Sequence, residues 1–482
     1  MSASPSLGIP ELAGLCTYED AARVGYSVDE NVRRLVRYHW VERRLMDVAL
    51  SHLTATPEWE VKCALSLHQW QNAEHADAIA RRVSEMRSPA PRMDLAPDAA
   101  LDAWIEEVLR ARDTVELLTG LCRVAHSALA SAYREHLAKT NPLVDHPTRR
   151  VLRFALLEVE EALAWGERAL SALLAAEPAA AGRSVAWERH LRAYLAAAGG
   201  IAGEPSRAGG PPQHHDTTAP LADHHHASAE RIELPPPRAA EPFVPDFTPR
   251  RDARFEGQYN FNFPPHLVYN APGVPADERN LALLCKRALE MDVPEMMASI
   301  IVERRDAPWE FRRDFARQLW DEARHAMMGT VAFEARGVDW TRIPLNVSFA
   351  LRLNGHATAL ERQVMLYAIE QRLMPGETGK RFEFETALAA GDALSAHFHD
   401  YDWADEVLHA QIGRRWIKRE GVSPRDATER ARAVHEKTWA ALALYRGRDD
   451  QRDWWPEFVL RVLGKASAVR VEELGDLTVI SE

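Results

Sequence analysis

A glutamate stands three residues before a histidine in two segments of the second half of the chain, DEARH at 321–325 and DEVLH at 405–409. Because residues three apart share one face of an α-helix, the Glu and the His of each segment can reach a single point. These pairs are Glu322 with His325 and Glu406 with His409. A carboxylate and an imidazole are half of the ligand set of a transition metal. One such pair is common by chance, whereas two pairs, each preceded by Asp and flanked by apolar residues, indicate a metal site.

A two-metal helical bundle also takes one carboxylate from each of two further helices. The helix that precedes the first pair offers Glu290, Glu295 and Glu303. The turn that follows this helix is predicted near residue 306, and Glu290 lies 16 residues before that point, as far as Glu322 lies after it. In an antiparallel helix pair these two side chains sit at the same height, whereas Glu303 lies beside the turn. Glu290 is therefore the predicted ligand.

The helix that precedes the second pair offers Glu361 and Glu370, which lie on opposite faces because nine positions separate them. An internal repeat favours Glu370, since residues 368–375 (AIEQRLMP) are similar to residues 288–294 (ALEMDVP). The predicted ligands of two metal ions are Glu290, Glu322, His325, Glu370, Glu406 and His409.

The order of these residues, a Glu followed by Glu-x-x-His on each of two helix pairs, resembles the ferritin-like di-iron carboxylate superfamily. Residues 321–325 are similar to the signature of stearoyl-type desaturases and bacterial multicomponent monooxygenases. Residues 368–375 and 405–416 look most like a bacterial branch of ferritin-like domains whose function is largely unassigned. The resemblance covers roughly residues 276–420 and implies two iron ions, or less often manganese.

The resemblance also implies residues that orient the ligands. In such proteins the Asp before each ligand Glu bonds the second nitrogen of a ligand histidine, which implies that role for Asp321 and Asp405, with Arg324 in the same network. The chain departs from the family pattern at two positions. Leu408 stands where an Arg would complete the second signature, and Met374 stands where many hydroxylating relatives carry a threonine. The type of reaction therefore stays open.

The leading functional hypothesis is a di-iron oxidoreductase that uses dioxygen or peroxide to oxidise a small organic substrate. Its electrons would come from a separate donor protein or reductant, since the sequence has no flavin or nicotinamide fingerprint and no Cys cluster. The alternatives are a ferroxidase, a peroxide-scavenging or manganese-catalase-like protein, and a metal-free helical scaffold. Acidic side chains in a core cost several kcal/mol each unless a cation neutralises them, which favours the metal.

The elements that must position these residues are predicted to be helices. Apolar residues recur at three- and four-residue steps in both halves, whereas alternating strand patterns are almost absent, so the predicted class is all-α. In the second half the predicted helices span 276–302, 309–333, 357–374, 401–416 and 427–445. With the resemblance, this organisation predicts two tandem ferritin-like four-helix bundles. The predicted divisions are a degenerate bundle at 25–197, a Pro-, Gly- and His-rich linker and packing segment at 198–272, a metal-binding bundle at 273–446 and a C-terminal extension at 447–482.

The first half repeats the second with an offset of 250 residues, which matches Trp59 with Trp309, Trp70 with Trp320 and His75 with His325. Asn72 stands at the position that corresponds to Glu322, and Glu161 stands where the second histidine would be. We therefore expect a bundle that kept its fold and lost its metal. The alternative is residual metal binding through Glu42, His75, Glu158 and Glu161.

The composition narrows the possible classes of protein. The chain of 482 residues has a net charge of −12 and 27% charged residues, which is typical of a globular protein. It contains no run of about 18 apolar residues, so no membrane span is expected. Four cysteines without a CxxC pair predict reduced thiols and a cytoplasmic location. The acidic balance argues against a nucleic-acid partner, and both a monomer and a homodimer stay open.

Overall fold

The computed structural model describes residues 8–203, 234–262, 265–374 and 379–470. Every regular element in these ranges is a helix, so the predicted all-α class is confirmed. The arrangement as two ferritin-like four-helix bundles stays a prediction. Within the described ranges, no helix is both long enough and apolar enough to cross a membrane.

Two compact units make up the chain. Unit 1 comprises Met1–Val48 and Gln71–Val244, and unit 2 comprises Ala49–Trp70 and Pro245–Glu482. Residues 49–70 thus belong to unit 2, although they precede the predicted linker. The domain limits drawn from the sequence stay a prediction.

The helices of the first half include a segment of wider, π-helical turns at Thr119–His126. The α-helices are α1 (Tyr18–Ala21), α2 (Val28–Leu53), α3 (Trp59–Met86), α4 (Ala99–Val108), α5 (Thr114–Leu118), α6 (Ser127–Lys139), α7 (His146–Ala176) and α8 (Ala181–Ala197). In unit 1, α6 and the π-helical segment pack against α7, and α4 packs against α8. Large side chains such as Tyr38, Trp104 and Tyr133 fill the interior of this unit and are fully buried.

The second half contains ten further α-helices among the described residues. They are α9 (Pro265–Asn270), α10 (Ala276–Leu289), α11 (Asp292–Glu303), α12 (Trp309–Glu334), α13 (Ser348–His356), α14 (Ala359–Arg372), α15 (Lys380–Ala389), α16 (Ala393–Arg419), α17 (Pro424–Ala441) and α18 (Trp455–Leu463). In unit 2, α12 packs against α10, α11 and α16, while α16 also packs against α14 and α15. These helices carry five of the six predicted metal ligands, and Glu290 lies between α10 and α11.

Local sequence features define where these helices begin and end. Thr358 and Glu361 form a reciprocal capping box at the start of α14, and the Asp392 side chain accepts a hydrogen bond from the Ser395 amide at the start of α16. The single helix predicted at 276–302 is wrong in one respect, because it breaks into α10 and α11 around Glu290. Pro294, which has no amide hydrogen to donate, fits in the first turn of α11.

Candidate metal centre

The structure brings all six predicted ligands into one cluster inside unit 2. Potential ligand atoms of Glu322, Glu370, Glu406 and His409 lie within 4.8 Å of one another, and the same holds for Glu290, Glu322 and His325. Glu322 belongs to both groups. Glu290 comes from the α10–α11 break, and the others come from α12, α14 and α16. All of them are buried except Glu290, which is half-buried.

Both histidines direct Nδ1 into this cluster. Nδ1 of His409 lies 3.2 Å from Glu322 Oε1 and 3.4 Å from Glu406 Oε2. Nδ1 of His325 lies 3.7 Å from Glu322 Oε2. The cluster therefore presents two imidazole nitrogens to a shared set of carboxylate oxygens.

The opposite ring nitrogens meet the two aspartates that precede the ligand glutamates. Nε2 of His325 lies 3.2 Å from Asp405 Oδ2, and Nε2 of His409 lies 3.4 Å from Asp321 Oδ2. Each contact crosses between α12 and α16, and Arg324 donates to both aspartates. These are the contacts that the family resemblance implies. They hold both imidazoles with Nδ1 toward the centre.

Charge also stabilises the aspartate network. Burial raises the pKa of Asp321, but its hydrogen bonds with His409, Arg317 and Arg324 outweigh burial and bring the pKa well below its usual range. The side chain is therefore an anion that accepts hydrogen bonds. It can hold its partners in place at any physiological pH.

The hydrogen bonds of the buried ligand atoms indicate whether a cation fits the cluster. Several of these atoms make no hydrogen bond. They are Oε2 of Glu290, Glu370 and Glu406, and Nδ1 of His325 and His409. Oε2 of Glu290 also lies 2.8 Å from the Arg287 guanidinium, as an ion pair. Buried polar atoms nearly always have hydrogen-bond partners in folded proteins. Five exceptions in one place, all of them potential metal ligands, fit a site built around cations.

The electrostatics of the metal-free cluster are unfavourable. Burial and the nearby charges of Glu406 and Glu322 raise the pKa of Glu370 well above its usual range. Burial also raises the pKa of Glu290, to about 7, despite the attraction of Arg287. Carboxylates this close repel one another unless protons or metal ions neutralise them.

Three charged residues beside the ligands were missed by the sequence analysis. They are Lys380, Glu383 and Asp402. Nζ of Lys380 lies 2.9 Å from both oxygens of Asp402 and 2.8 Å from Glu406 Oε1. Arg287 also donates to Asp402, and to Glu383 at 2.7 Å. Buried carboxylates and cations thus continue from the ligand cluster toward α15.

Asp402 is close enough to the centre to belong to the ligand set. Its Oδ1 lies 3.2 Å from Nδ1 of His325, and it forms a potential metal group with His325 and Glu406. The spacing 402, 406 and 409 places three such residues on one face of a helix, and that pattern could have revealed it. A further group, Glu383 with His399 and Asp402, already contains the cations Lys286, Arg287 and Lys380 as partners of its carboxylates.

The corresponding residues of unit 1 form a hydrogen-bonded network. Glu42 accepts hydrogen bonds from Asn72 at 2.5 Å and from the Tyr133 hydroxyl at 2.6 Å. His75 contacts Glu42 at 3.1 Å through Nδ1 and Glu158 at 2.7 Å through Nε2. Protein partners therefore engage both oxygens of Glu42 and both nitrogens of His75. The fourth residue proposed for residual binding, Glu161, is exposed.

This network predicts a pH dependence of stability. Burial opposes protonation of His75, but the charge of Glu42 and the bonds to Glu158 and Glu42 outweigh burial and raise its pKa from 6.5 to about 9. Protonated His75 therefore stabilises the fold fully below pH 6.5, and this contribution is lost as the pH rises through about 9. His75→Gln should cost on the order of 1–3 kcal/mol in urea unfolding at pH 6 and much less at pH 10. An unfolding cost that does not change with pH would contradict a charged His75.

Comparison of the chain with protein-family models, with curated proteins and with solved structures finds no match in any of the three. The ferritin-like resemblance therefore stays a prediction, and the chemistry of the cluster in unit 2 is the basis for assigning a function.

Proposed function

We propose that unit 2 binds two metal ions, iron with manganese as the alternative, and that the chain is an oxidoreductase. It uses dioxygen or peroxide to oxidise a small organic molecule. The observation that carries this proposal is the buried cluster in which two groups of potential ligands share Glu322. Four carboxylates and two imidazoles form a mixed oxygen and nitrogen ligand set that suits iron and manganese.

The unpartnered atoms favour a metal site over a metal-free polar core. In a polar core that serves only the fold, each buried carboxylate and imidazole is expected to have hydrogen-bond partners. Here Gln318 donates to Glu370 Oε1 at 2.9 Å, while Oε2 of the same side chain makes no hydrogen bond. The outer oxygen is thus held by the protein and the inner oxygen is left for a cation.

The shared carboxylate supports a pair of ions rather than one. Glu322 lies with Glu290 and His325 in one group and with Glu370, Glu406 and His409 in the other. Each group has one histidine and at least one carboxylate of its own. Glu290 and His325 would hold one ion, Glu370, Glu406 and His409 would hold the other, and Glu322 would be available to both.

A bound pair of iron ions would supply the oxidising chemistry by reacting with dioxygen or peroxide. The side chains around it would orient the ligands. Asp321 and Asp405 would hold Nε2 of the two histidines, so that each Nδ1 points inward, and Arg324 would couple the two aspartates. The electrons would come from a separate donor protein or reductant, as the sequence predicts.

Oxygen consumption tests this function. The protein is loaded anaerobically with about two Fe(II) ions per chain and then exposed to dioxygen. It is expected to consume dioxygen faster than the same iron in buffer, and to retain the oxidised iron. His409→Ala should lose this reaction, whereas Glu310→Gln, at an exposed position of α12, should keep it. Release of the iron followed by repeated uptake of Fe(II) would indicate a ferroxidase instead. Iron-loaded protein that consumes no oxygen beyond the buffer control would contradict the proposal.

A further inference from the structure

A cavity of about 320 Å³ opens beside the candidate metal centre. Four of the predicted ligands, Glu290, Glu322, Glu370 and Glu406, line it. Helices α9, α10, α11, α13 and α14 contribute the rest of its lining. Its volume is at the lower end of the range for small-molecule sites in proteins.

The walls of this cavity are largely apolar and accessible from outside. They include Leu289, Val293, Phe349, Leu366, Ile369 and Leu373. Leu366 is buried, whereas the other five are only half-buried. Covering such surface with an apolar molecule is favourable by roughly 25 cal/mol for each Å² removed from water. An apolar opening that leads to buried carboxylates is the arrangement expected of a substrate site.

The charged residues of the lining already have partners. Lys286 pairs with Glu383. Asp292 accepts hydrogen bonds from Arg251 and from the Phe349 amide, at 3.4 and 3.0 Å. The remaining carboxylates of the lining are the predicted metal ligands. Among the described residues, no side chain of the lining offers a free counter-charge, so a charged group on a ligand would lose its hydration here without a matched protein partner.

We propose that this cavity binds the substrate and that the substrate is an uncharged, predominantly apolar organic molecule, such as a short hydrocarbon chain or a substituted aromatic ring. The inference rests on the proposed function, because it takes the metal centre beside the cavity as the place of reaction. It adds the class of molecule that is oxidised.

A set of three fluorinated probes with one common ring tests this substrate class. The probes are 4-fluorotoluene, 4-fluorobenzoate and 4-fluorobenzylammonium, and their binding to the full chain is measured by fluorine NMR. The neutral probe is expected to bind at least about tenfold more tightly than either charged probe. Charged probes that bind as tightly as the neutral one, or a neutral probe that does not bind, would overturn the inference.

Variants with larger side chains in the cavity wall test whether the probe binds in this cavity. Val293→Trp and Leu373→Trp introduce large side chains that reduce the cavity volume. Both are expected to weaken binding of 4-fluorotoluene by about tenfold or more. Val331→Trp is the matched control, because Val331 lies on α12 outside the cavity and is 50% exposed. Circular dichroism shows whether each variant folds. Unchanged binding in both folded cavity variants would overturn the inference.

Paramagnetic relaxation tests whether the bound probe lies beside the metal site. In protein loaded with Mn(II), the fluorine of the bound probe should relax much faster than in protein loaded with Zn(II), because the cavity adjoins the ligands. Binding without this enhancement in a protein that has taken up Mn(II) would overturn the inference. A protein that takes up no metal but binds the probe in a Val293-dependent manner would support the apolar cavity and overturn the proposed function.

Discussion

Replacing Glu322 with glutamine is expected to lower the metal content from about two ions per chain to fewer than one. Glu322 belongs both to the group with Glu290 and His325 and to the group with Glu370, Glu406 and His409. A glutamine keeps the size of the side chain but removes the charge and one good ligand atom. Both ions therefore lose affinity, whereas loss of a terminal ligand such as Glu290 should affect mainly one of them. Elemental mass spectrometry of the purified variant measures the change.

The same variant should also be less stable when no metal is present. In metal-free protein, burial and the charge of Glu406 disfavour ionised Glu322, but its interactions with His325 and His409 outweigh them and lower its pKa. Neutral glutamine loses this favourable interaction, so the melting temperature of the chelated protein should fall. The substitution should also abolish the stabilisation by added Fe(II) or Mn(II), which for the native chain is about 2.7 kcal/mol at a hundredfold excess over Kd. The matched control Glu310→Gln should behave as the native chain, and a Glu322→Gln protein that still binds two ions would contradict the shared-ligand assignment.

Replacing Lys380 with methionine is expected to destabilise the metal-free protein by about 3–5 kcal/mol. The Lys380 ammonium is fully buried and contacts both Asp402 and Glu406. Burial and the charge of Arg287 disfavour its protonated form, but Asp402, Glu406 and Glu383 outweigh them, and the pKa stays well above its usual value. Methionine fills similar space and leaves the carboxylates uncompensated. Urea unfolding of chelated protein measures the cost.

Metal should restore much of the stability that Lys380→Met loses. A divalent cation at Glu406 replaces part of the missing positive charge, so the variant should gain more stability from Fe(II) or Mn(II) than the native chain does. Lys437→Met is the matched control, because Lys437 is half exposed where it pairs with Glu361 and should contribute less than about 1 kcal/mol. If metal-free Lys380→Met were as stable as the native chain, the buried ion pairs would not balance the carboxylates as described.

The helical class and the faces that carry the ligands could be predicted because both follow from local spacing. The Glu-x-x-His spacing places Glu322 with His325, and Glu406 with His409, whatever the rest of the fold does. The turn near residue 306 then related Glu290 to Glu322 by simple helix geometry. The resemblance implied that Asp321 and Asp405 each contact a ligand histidine. Each contact crosses between α12 and α16, because the residue before a ligand on one helix faces the neighbouring helix.

The contacts of Lys380 could not be predicted in the same way. Lys380 lies on α15, a helix that the sequence analysis did not predict, and its contact with Asp402 depends on how α15 packs against α16. The helix that carries Asp402 was expected to begin at residue 401, whereas it begins at Ala393. Asp402 itself lies inside the predicted helix, and its spacing from Glu406 and His409 could have indicated it. Helix boundaries depend on capping groups such as Asp392, and tertiary packing decides which distant residues meet a given face.

The metal content of the full chain, purified from medium supplemented with iron and manganese, tests the central claim most directly. We expect about two metal ions per chain by elemental mass spectrometry, with iron or manganese as the dominant metal. Close to four ions would show that unit 1 also binds metal, against the hydrogen-bonded network of Glu42 and His75. A chain that is purified without metal and takes up no Fe(II) under anaerobic conditions would contradict the metal centre and the function built on it.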